Sequence, residues 1–247
     1  MRTLKLTLAY DGTSYVGWQR QLNGVSIQQL VEEACAPLVP DVVEPPTVAG
    51  ASRTDAGVHA LGQVASVNLP AALSTAAVQR ALNARLPADI RVLGVVEARP
   101  GFHARSDAIG KSYRYRIATT RVVSPFDRWF VWHAPEVRDV AAMREAAGAF
   151  LGRHDFASFQ AAGASVRATT RTIQRLEIRD AHGEIAIEID GDGFLRHMVR
   201  AMAGTLAEVG AGTRAPGAIG AMLDARDRQA AGRTAPAHGL TLVAVRY

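Results

Sequence analysis

Thr3-Leu4-Lys5-Leu6-Thr7-Leu8-Ala9-Tyr10, followed by Asp11-Gly12, alternates polar and apolar residues and then stops at a turn pair. A period of two places successive side chains on opposite faces, so the stretch reads as a half-buried strand entering a turn. Further along, Ser26-Ile27-Gln28-Gln29 carries a capping-box pattern, a serine with a glutamine three residues on. The helix it opens is expected to run to about Leu38 and stop before Pro40. Thr47 to Ala51 is a short strand candidate, and Gly62 to Leu69 a clearer one. From Ser74 to Leu86, the spacing of Ala77, Val78, Ala81 and Leu82 predicts a helix. Ile90 to Ala98, apolar and β-branched, is the next strand. The order β-α-β-β-α-β is the split βαβ pattern of ferredoxin-like folds.

A second series begins near Phe102. Gly110 to Thr119 alternates as a strand, and Trp129 to His133 is another candidate. Val137 to Leu151 places Val140, Met143, Ala147 and Phe150 on one helical face. Arg171 to Arg179 and Glu184 to Asp190 are period-two strands joined at Asp180-Ala181-His182-Gly183, a hairpin signal. A helix is expected from about Phe194 to Val209, a Gly-rich loop over Gly210–Gly217, a short helix over Ala218–Ala225 and a last strand over Leu240–Arg246. The expectation is an α+β protein of two ferredoxin-like (split βαβ) halves, residues 1–104 and 105–247. Their antiparallel sheets would pack side by side around a central cleft, a common place for a ligand.

Composition narrows the class. The 247 residues are 48% hydrophobic and 21% charged, neither disordered nor membrane-like. No apolar run approaches the roughly 20 residues that span a bilayer, and Leu6-Thr7-Leu8-Ala9 is too short for a signal-peptide core. A cytoplasmic protein is the default. The single cysteine, Cys35, cannot form an internal disulfide; among Leu30, Val31, Ala34 and Leu38 it reads as a buried structural thiol. No Cys/His spacing suggests a metal. The net charge is +5, with lysine only at positions 5 and 111. Arginine forks match phosphate and stack on bases, so a polyanionic partner fits; a genome rich in arginine codons fits as well.

There is no phosphate-binding loop, dinucleotide glycine fingerprint, Gly-x-Ser-x-Gly or His-Glu-x-x-His. The unusual segment is the loop from Ala49 to Gly62, which holds Ser52-Arg53-Thr54-Asp55-Ala56-Gly57-Val58-His59. Two readings fit it. An aspartate kept ionised beside a guanidinium can act as a nucleophile or stabilise a developing cation. An Arg53–Asp55 ion pair can equally just hold a turn. His59 reads as a packed or hydrogen-bonding histidine.

Three other segments are suggestive. In Lys111-Ser112-Tyr113-Arg114-Tyr115-Arg116, a strand would place Tyr113 and Tyr115 on one face and Arg114 and Arg116 on the other. Such a strand can stack on bases and meet phosphate, or simply bury its tyrosines. Arg196 and Arg200, four apart, would share one face of the helix that follows Gly193. Arg214 in the Gly-rich loop is a further phosphate candidate.

Taken in order, Tyr10-Asp11-Gly12, Gly17-Trp18-Gln19-Arg20, the Ser52–His59 run, Phe102-His103-Ala104-Arg105, Tyr113-Arg114-Tyr115, Asp155-Phe156-Ala157-Ser158-Phe159, Phe194–Arg200 and Gly239-Leu240-Thr241-Leu242 resemble the TruA-type tRNA pseudouridine synthases. The Arg-Thr-Asp-Ala-Gly-Val-His run is the most specific. Ser52 departs from the glycine common in relatives. The resemblance implies isomerisation of uridine to pseudouridine at positions 38, 39 and 40 of the tRNA anticodon stem-loop, by a homodimer without cofactor or metal. It implies that Asp55 is the nucleophile, that Arg53 displaces the base, that Tyr113 packs against the target uracil and that Arg200 pairs with Asp55. Two other classes compete. An RNA-binding module explains charge and aromatics but not an acid within the arginine-bearing loop. A glycoside or nucleoside hydrolase needs a second carboxylate, for which Glu188 or Asp192 would have to serve.

Overall fold

Strand β1 (Arg2–Tyr10) buries Leu4, Leu6, Leu8 and Tyr10, the apolar phase of the alternation. This computed structural model describes residues 1–39, 46–161, 163 and 168–247. Among them the chain is α+β, with ten strands, mostly antiparallel, and five α-helices. It divides into two compact units, Met1–Ile109 with Leu242–Tyr247, and Gly110–Thr241. No helix among the described residues is long and apolar enough to cross a membrane.

In the first unit, α1 (Ile27–Cys35) starts where Ser26 Oγ accepts from the Gln29 backbone N–H at 3.3 Å. Only half of the expected capping box forms, because the Gln29 side chain donates to Glu33 at 2.9 Å instead. A 3-10 turn over Ala36–Leu38 ends the helix; the expected stop at Pro40 lies outside the described residues. Next come β2 (Ala49–Gly50), β3 (His59–Leu69), α2 (Thr75–Arg85) and β4 (Ile90–Glu97). Strand β1 lies between β4 and β3, antiparallel to both, and β2 pairs with β3. Ladder partners share a face, so Val67, Ala65 and Gln63 stand opposite Leu4, Leu6 and Leu8 on the buried side. The register slips between Leu8↔Gln63 and Tyr10↔Ala60, a bulge on the β3 side beside the unusual loop. Cys35 is fully buried; burial, then the nearby Glu32 charge, pushes its thiol up to about 12, which leaves it protonated and inert.

Residues Leu242–Tyr247 of β10 (Leu240–Arg246) and beyond return to this first unit. The Tyr247 hydroxyl donates to the Ala104 carbonyl at 2.7 Å, and its ring meets Phe102 at 5.1 Å and carries the Lys5 ammonium at 4.2 Å. Gly62 makes room: a Cβ there would stand 2.4 Å from the Val243 carbonyl oxygen.

In the second unit, β5 (Gly110–Ala118), β9 (Glu184–Gly191), β8 (Thr170–Ala181) and β7 (Gly152–Asp155) are neighbours in that order, with β6 (Trp132–His133) parallel to β5. The β8–β9 turn is His182-Gly183, with φ of 54° and 77°. Two consecutive left-handed residues match the twist of a tight hairpin. Helix α3 (Val140–Ala147) is shorter than expected, because Asp139 caps it by accepting from Ala142 N–H at 2.9 Å. Helices α4 (Met198–Gly210) and α5 (Ala218–Ala225) follow. Phe150, Phe156 and Phe159, all fully buried, form an aromatic cluster in this unit's core.

Candidate active site

The Asp55 loop leaves the sheet in a particular way. Ala51 N–H donates to Val64 O at 2.8 Å, a backbone rung beyond β2. At Ser52 a side chain replaces the backbone as partner. Gln63 Oε1 accepts from Ser52 N–H at 3.1 Å, and Gln63 Nε2 donates to Ser52 O at 2.7 Å. Two residues later Thr54 is held at both ends: its carbonyl accepts from Trp18 N–H at 3.0 Å, and its Oγ1 lies 2.8 Å from the Tyr10 hydroxyl. Asp55 forms a bridge with Gly17, and Asp55 O accepts from Val58 N–H at 3.1 Å, closing a turn that Gly57 permits with φ 76°.

The close approach explains one glycine. Gly17 sits at φ +104°, and a Cβ there would lie 2.5 Å from the Thr54 carbonyl oxygen. The loop therefore rests directly on the backbone of the Gly17-Trp18 segment, whose tryptophan is buried. Arg53 points out and is exposed, whereas Asp55 is half-buried. Among the described residues Arg53 makes no ion pair, so the turn is not held by an Arg53–Asp55 pair. His59 is buried, and its Nδ1 accepts from Gly12 N–H at 3.0 Å with Asp11 Oδ1 at 3.1 Å. It is the hydrogen-bonding histidine that the sequence suggested.

The second unit carries the other two candidates. Tyr113 and Tyr115 share the buried face of β5, and Tyr113 meets the Phe194 ring edge-on at 5.1 Å. Tyr115 is fully buried and donates to Pro236 O at 2.8 Å; burial pushes its phenol well above the ordinary range. On the other face Arg114 donates to Glu188 at 2.9 Å and Arg116 to Glu184 at 2.7 Å. That basic face is thus paired with carboxylates on the neighbouring strand. Arg175 and Arg179 extend the pairing to Glu177, Glu188 and Asp190. Burial raises Glu188, but hydrogen bonds from Arg114 and Arg175 outweigh it and hold the carboxyl below the usual range.

Arg200 stands near the start of α4. Its Nε donates to Ala235 O at 2.8 Å, and its carbonyl accepts from Ala235 N–H at 3.0 Å. Gly204 lets that segment lie on the helix, since a Cβ there would fall 1.8 Å from Arg233 O. The helix begins later than expected. His197 adopts φ 63°, a left-handed cap, which leaves Arg196 outside the helix with its carbonyl accepting from Ala161 N–H at 2.9 Å. Arg196 and Arg200 therefore do not share a helical face. Arg214 is occupied by Glu208 at 2.8 Å and secures the end of α4. Asp192 accepts from Thr172 N–H at 3.0 Å, a structural duty near the β8–β9 strands, as Glu188 has among its arginines.

The sequence did not single out Gln63, Tyr10 or Thr54 as a group. A signal was there: a glutamine on the apolar phase of β3 has to find partners. Among the described residues no cluster of three His, Cys, Asp or Glu side chains could hold a metal ion.

A sequence model of the family described as tRNA pseudouridine synthase matches residues 7–105 and 146–247. The chain belongs to that family, whose members are isomerases. More particularly, it is 47% identical over 247 residues to tRNA pseudouridine synthase A of Syntrophotalea carbinolica, covering 100% of this chain and 97% of that one. The protein of the same name from Geobacter sulfurreducens is 46% identical with all of both chains covered. That from Acidiphilium cryptum is 46% identical over 251 residues, 100% of this chain and 97% of the other. Arg53, Asp55 and Arg200 fall inside the matched blocks, and Tyr113 between them.

Proposed function

We propose that this chain is the tRNA pseudouridine synthase that isomerises uridine to pseudouridine at positions 38, 39 and 40 of the anticodon stem-loop, acting as a cytoplasmic homodimer. Its two units are read as split βαβ copies. The order β1-α1-β2-β3-α2-β4 of the first unit supports that reading. The observation that carries the functional reading is the Asp55 loop: a half-buried carboxylate on a chain held at Ser52 and Thr54, next to an exposed arginine that makes no ion pair among the described residues.

The reaction breaks the bond from uracil N1 to sugar C1′ and makes one from C5 to C1′. The C5 proton leaves and N1 gains one, so nothing is oxidised and no group is lost. Asp55 is the nucleophile at C1′. The target uridine must first leave the stack, which costs a few kcal/mol. Arg53, exposed on the loop, takes its place. Tyr113, whose ring is fixed by Phe194, packs on the extruded uracil; stacking of this kind contributes about 1–3 kcal/mol. Arg200 is the cation assigned to the Asp55 carboxylate, its guanidinium steered by Ala235. Phosphates of the stem-loop are met by further arginines of the chain.

The test is tritium release from tRNA labelled at uridine C5, with pseudouridine sought in the digest. The wild-type protein should release tritium from a tRNA with uridine at 38, 39 or 40, and not from one with cytidine at all three. Asp55→Asn should abolish release and keep tRNA affinity within about tenfold, as for a group acting in the chemical step. Free uracil in the digest would instead identify a hydrolase, and binding without either product a passive RNA-binding module.

A further inference from the structure

We infer that Gln63, with Tyr10 and Thr54, is the positioning device of the proposed catalytic loop: a side-chain rung that holds the chain off the sheet and sets where Asp55 stands. The inference rests on the reading that Asp55 does the chemistry. Antiparallel pairing of β2 with β3 runs Ala49↔Ser66 and Gly50↔Ala65, and Ala51 bonds Val64. Continued, the ladder would set Ser52 against the Gln63 backbone. The structure puts the Gln63 carboxamide in that place, its Oε1 accepting from Ser52 N–H and its Nε2 donating to Ser52 O. The backbone of Gln63 is paired with Leu8. The loop thus lifts away by the length of one side chain and still keeps a two-bond rung.

The bonds continue toward the reactive residue. Gln63 Nε2 also approaches the Tyr10 hydroxyl oxygen at 3.4 Å, and Tyr10 is 2.8 Å from Thr54 Oγ1. The four residues are buried: Gln63 is 0% exposed, Tyr10 4%, Ser52 6% and Thr54 7%. They run from the residue before Arg53 to the residue before Asp55. A buried polar chain costs stability wherever one member loses its partner, so it fixes one geometry rather than a range. The bulge in β3 next to Gln63 fits this role, since bulges re-aim side chains at the edge of a site. Only an amide of this length serves. Glutamate cannot donate to Ser52 O, and asparagine is one methylene short.

The experiment measures single-turnover isomerisation, tRNA affinity and thermal unfolding for Tyr10→Phe, Thr54→Val, Thr54→Ser and Gln63→Leu, with Asp55→Asn as reference. Tyr10→Phe and Thr54→Val are expected to slow the chemical step about tenfold or more, with tRNA affinity within about threefold, since small misplacements of a reacting group are costly. Thr54→Ser restores the hydroxyl and should recover most of the rate. The Tyr10→Phe/Thr54→Val pair should be no slower than its slower member, because both remove the same Tyr10–Thr54 bond. Gln63→Leu should slow the step about a hundredfold; if it does not fold, the Thr54 and Tyr10 variants decide. Wild-type rates in Thr54→Val and Tyr10→Phe, or losses that only follow the folded fraction, overturn the inference and leave the Asp55 reading intact. A near-wild-type rate in Asp55→Asn overturns both.

Discussion

Arginines and carboxylates meet in two very different ways in this molecule. On the strands of the second unit, Arg114, Arg175 and Arg179 interleave with Glu177, Glu188 and Asp190, and each charge finds an opposite one across the ladder or two residues along the strand. On the loop of the first unit, Arg53 is exposed without an ion pair among the described residues, and the backbone leading to Asp55 is held at Ser52 and Thr54 by a chain of neutral groups. The strand register hands each arginine a carboxylate and so spends the charge on the fold. The loop is held at Ser52 and Thr54 by neutral groups, and its exposed arginine is not spent on an ion pair among the described residues. The same two residue types serve opposite ends, and what decides is whether backbone geometry or charge holds the chain.

Perturbing each region in turn tests that contrast. The largest effect is expected from Asp55→Glu, which keeps the charge but moves it by a methylene. Single-turnover rate should drop about a hundredfold, with thermal unfolding unchanged; a rate within threefold of wild type would mean that the loop does not need to be placed. Next, Gly17→Ala forces a Cβ against the Thr54 carbonyl at a left-handed backbone position. It should cost about 2 kcal/mol in denaturant unfolding and slow the reaction as well. In the strand network, Glu188→Gln should cost about 1 kcal/mol or less, a loss that shrinks in high salt. Its isomerisation rate should stay within twofold of wild type, and a rate loss as large as that of Asp55→Glu would collapse the distinction. The smallest effect concerns acid. Hydrogen bonding from Arg175, against desolvation, holds Glu177 at about 2 where the ordinary value is 4.5. The folded state therefore favours the ionised form, so this stabilisation is present above pH 4.5 and is lost as the pH falls toward about 2. Stability measured across that window should fall less steeply in Glu177→Gln than in wild type.

Much of the fold was legible because local patterns agreed with it. The alternation of β1, the spacing of α2, the extent of α5 and the last strand all appear where the sequence put them. What escaped was decided by contacts or single backbone angles. Strand β7, Gly-Arg-His-Asp, has no apolar phase and exists through its pairing with β8. The late start of α4 depends on one left-handed residue, His197, in a run with helical spacing. The expected strand at Trp129–His133 shrinks to two residues, because Asp127 and Phe130 donate back into turns. At the candidate site, Arg53 and Asp55 stood out as a motif. The residues that hold them did not, because Tyr10 and Gln63 meet Thr54 and Ser52 only after two strands and a bulge have brought them together.

The return of Leu242–Tyr247 to the first unit has a consequence for biosynthesis. The strands around the Asp55 loop emerge from the ribosome early, yet the tyrosine that bonds Ala104 and covers Phe102 comes after the whole second unit. Contacts separated by so long a stretch of chain form slowly. A nascent chain would hold a reactive-looking loop on an unfinished support until Leu242–Tyr247 arrive, so that support is completed only after the second unit has been made.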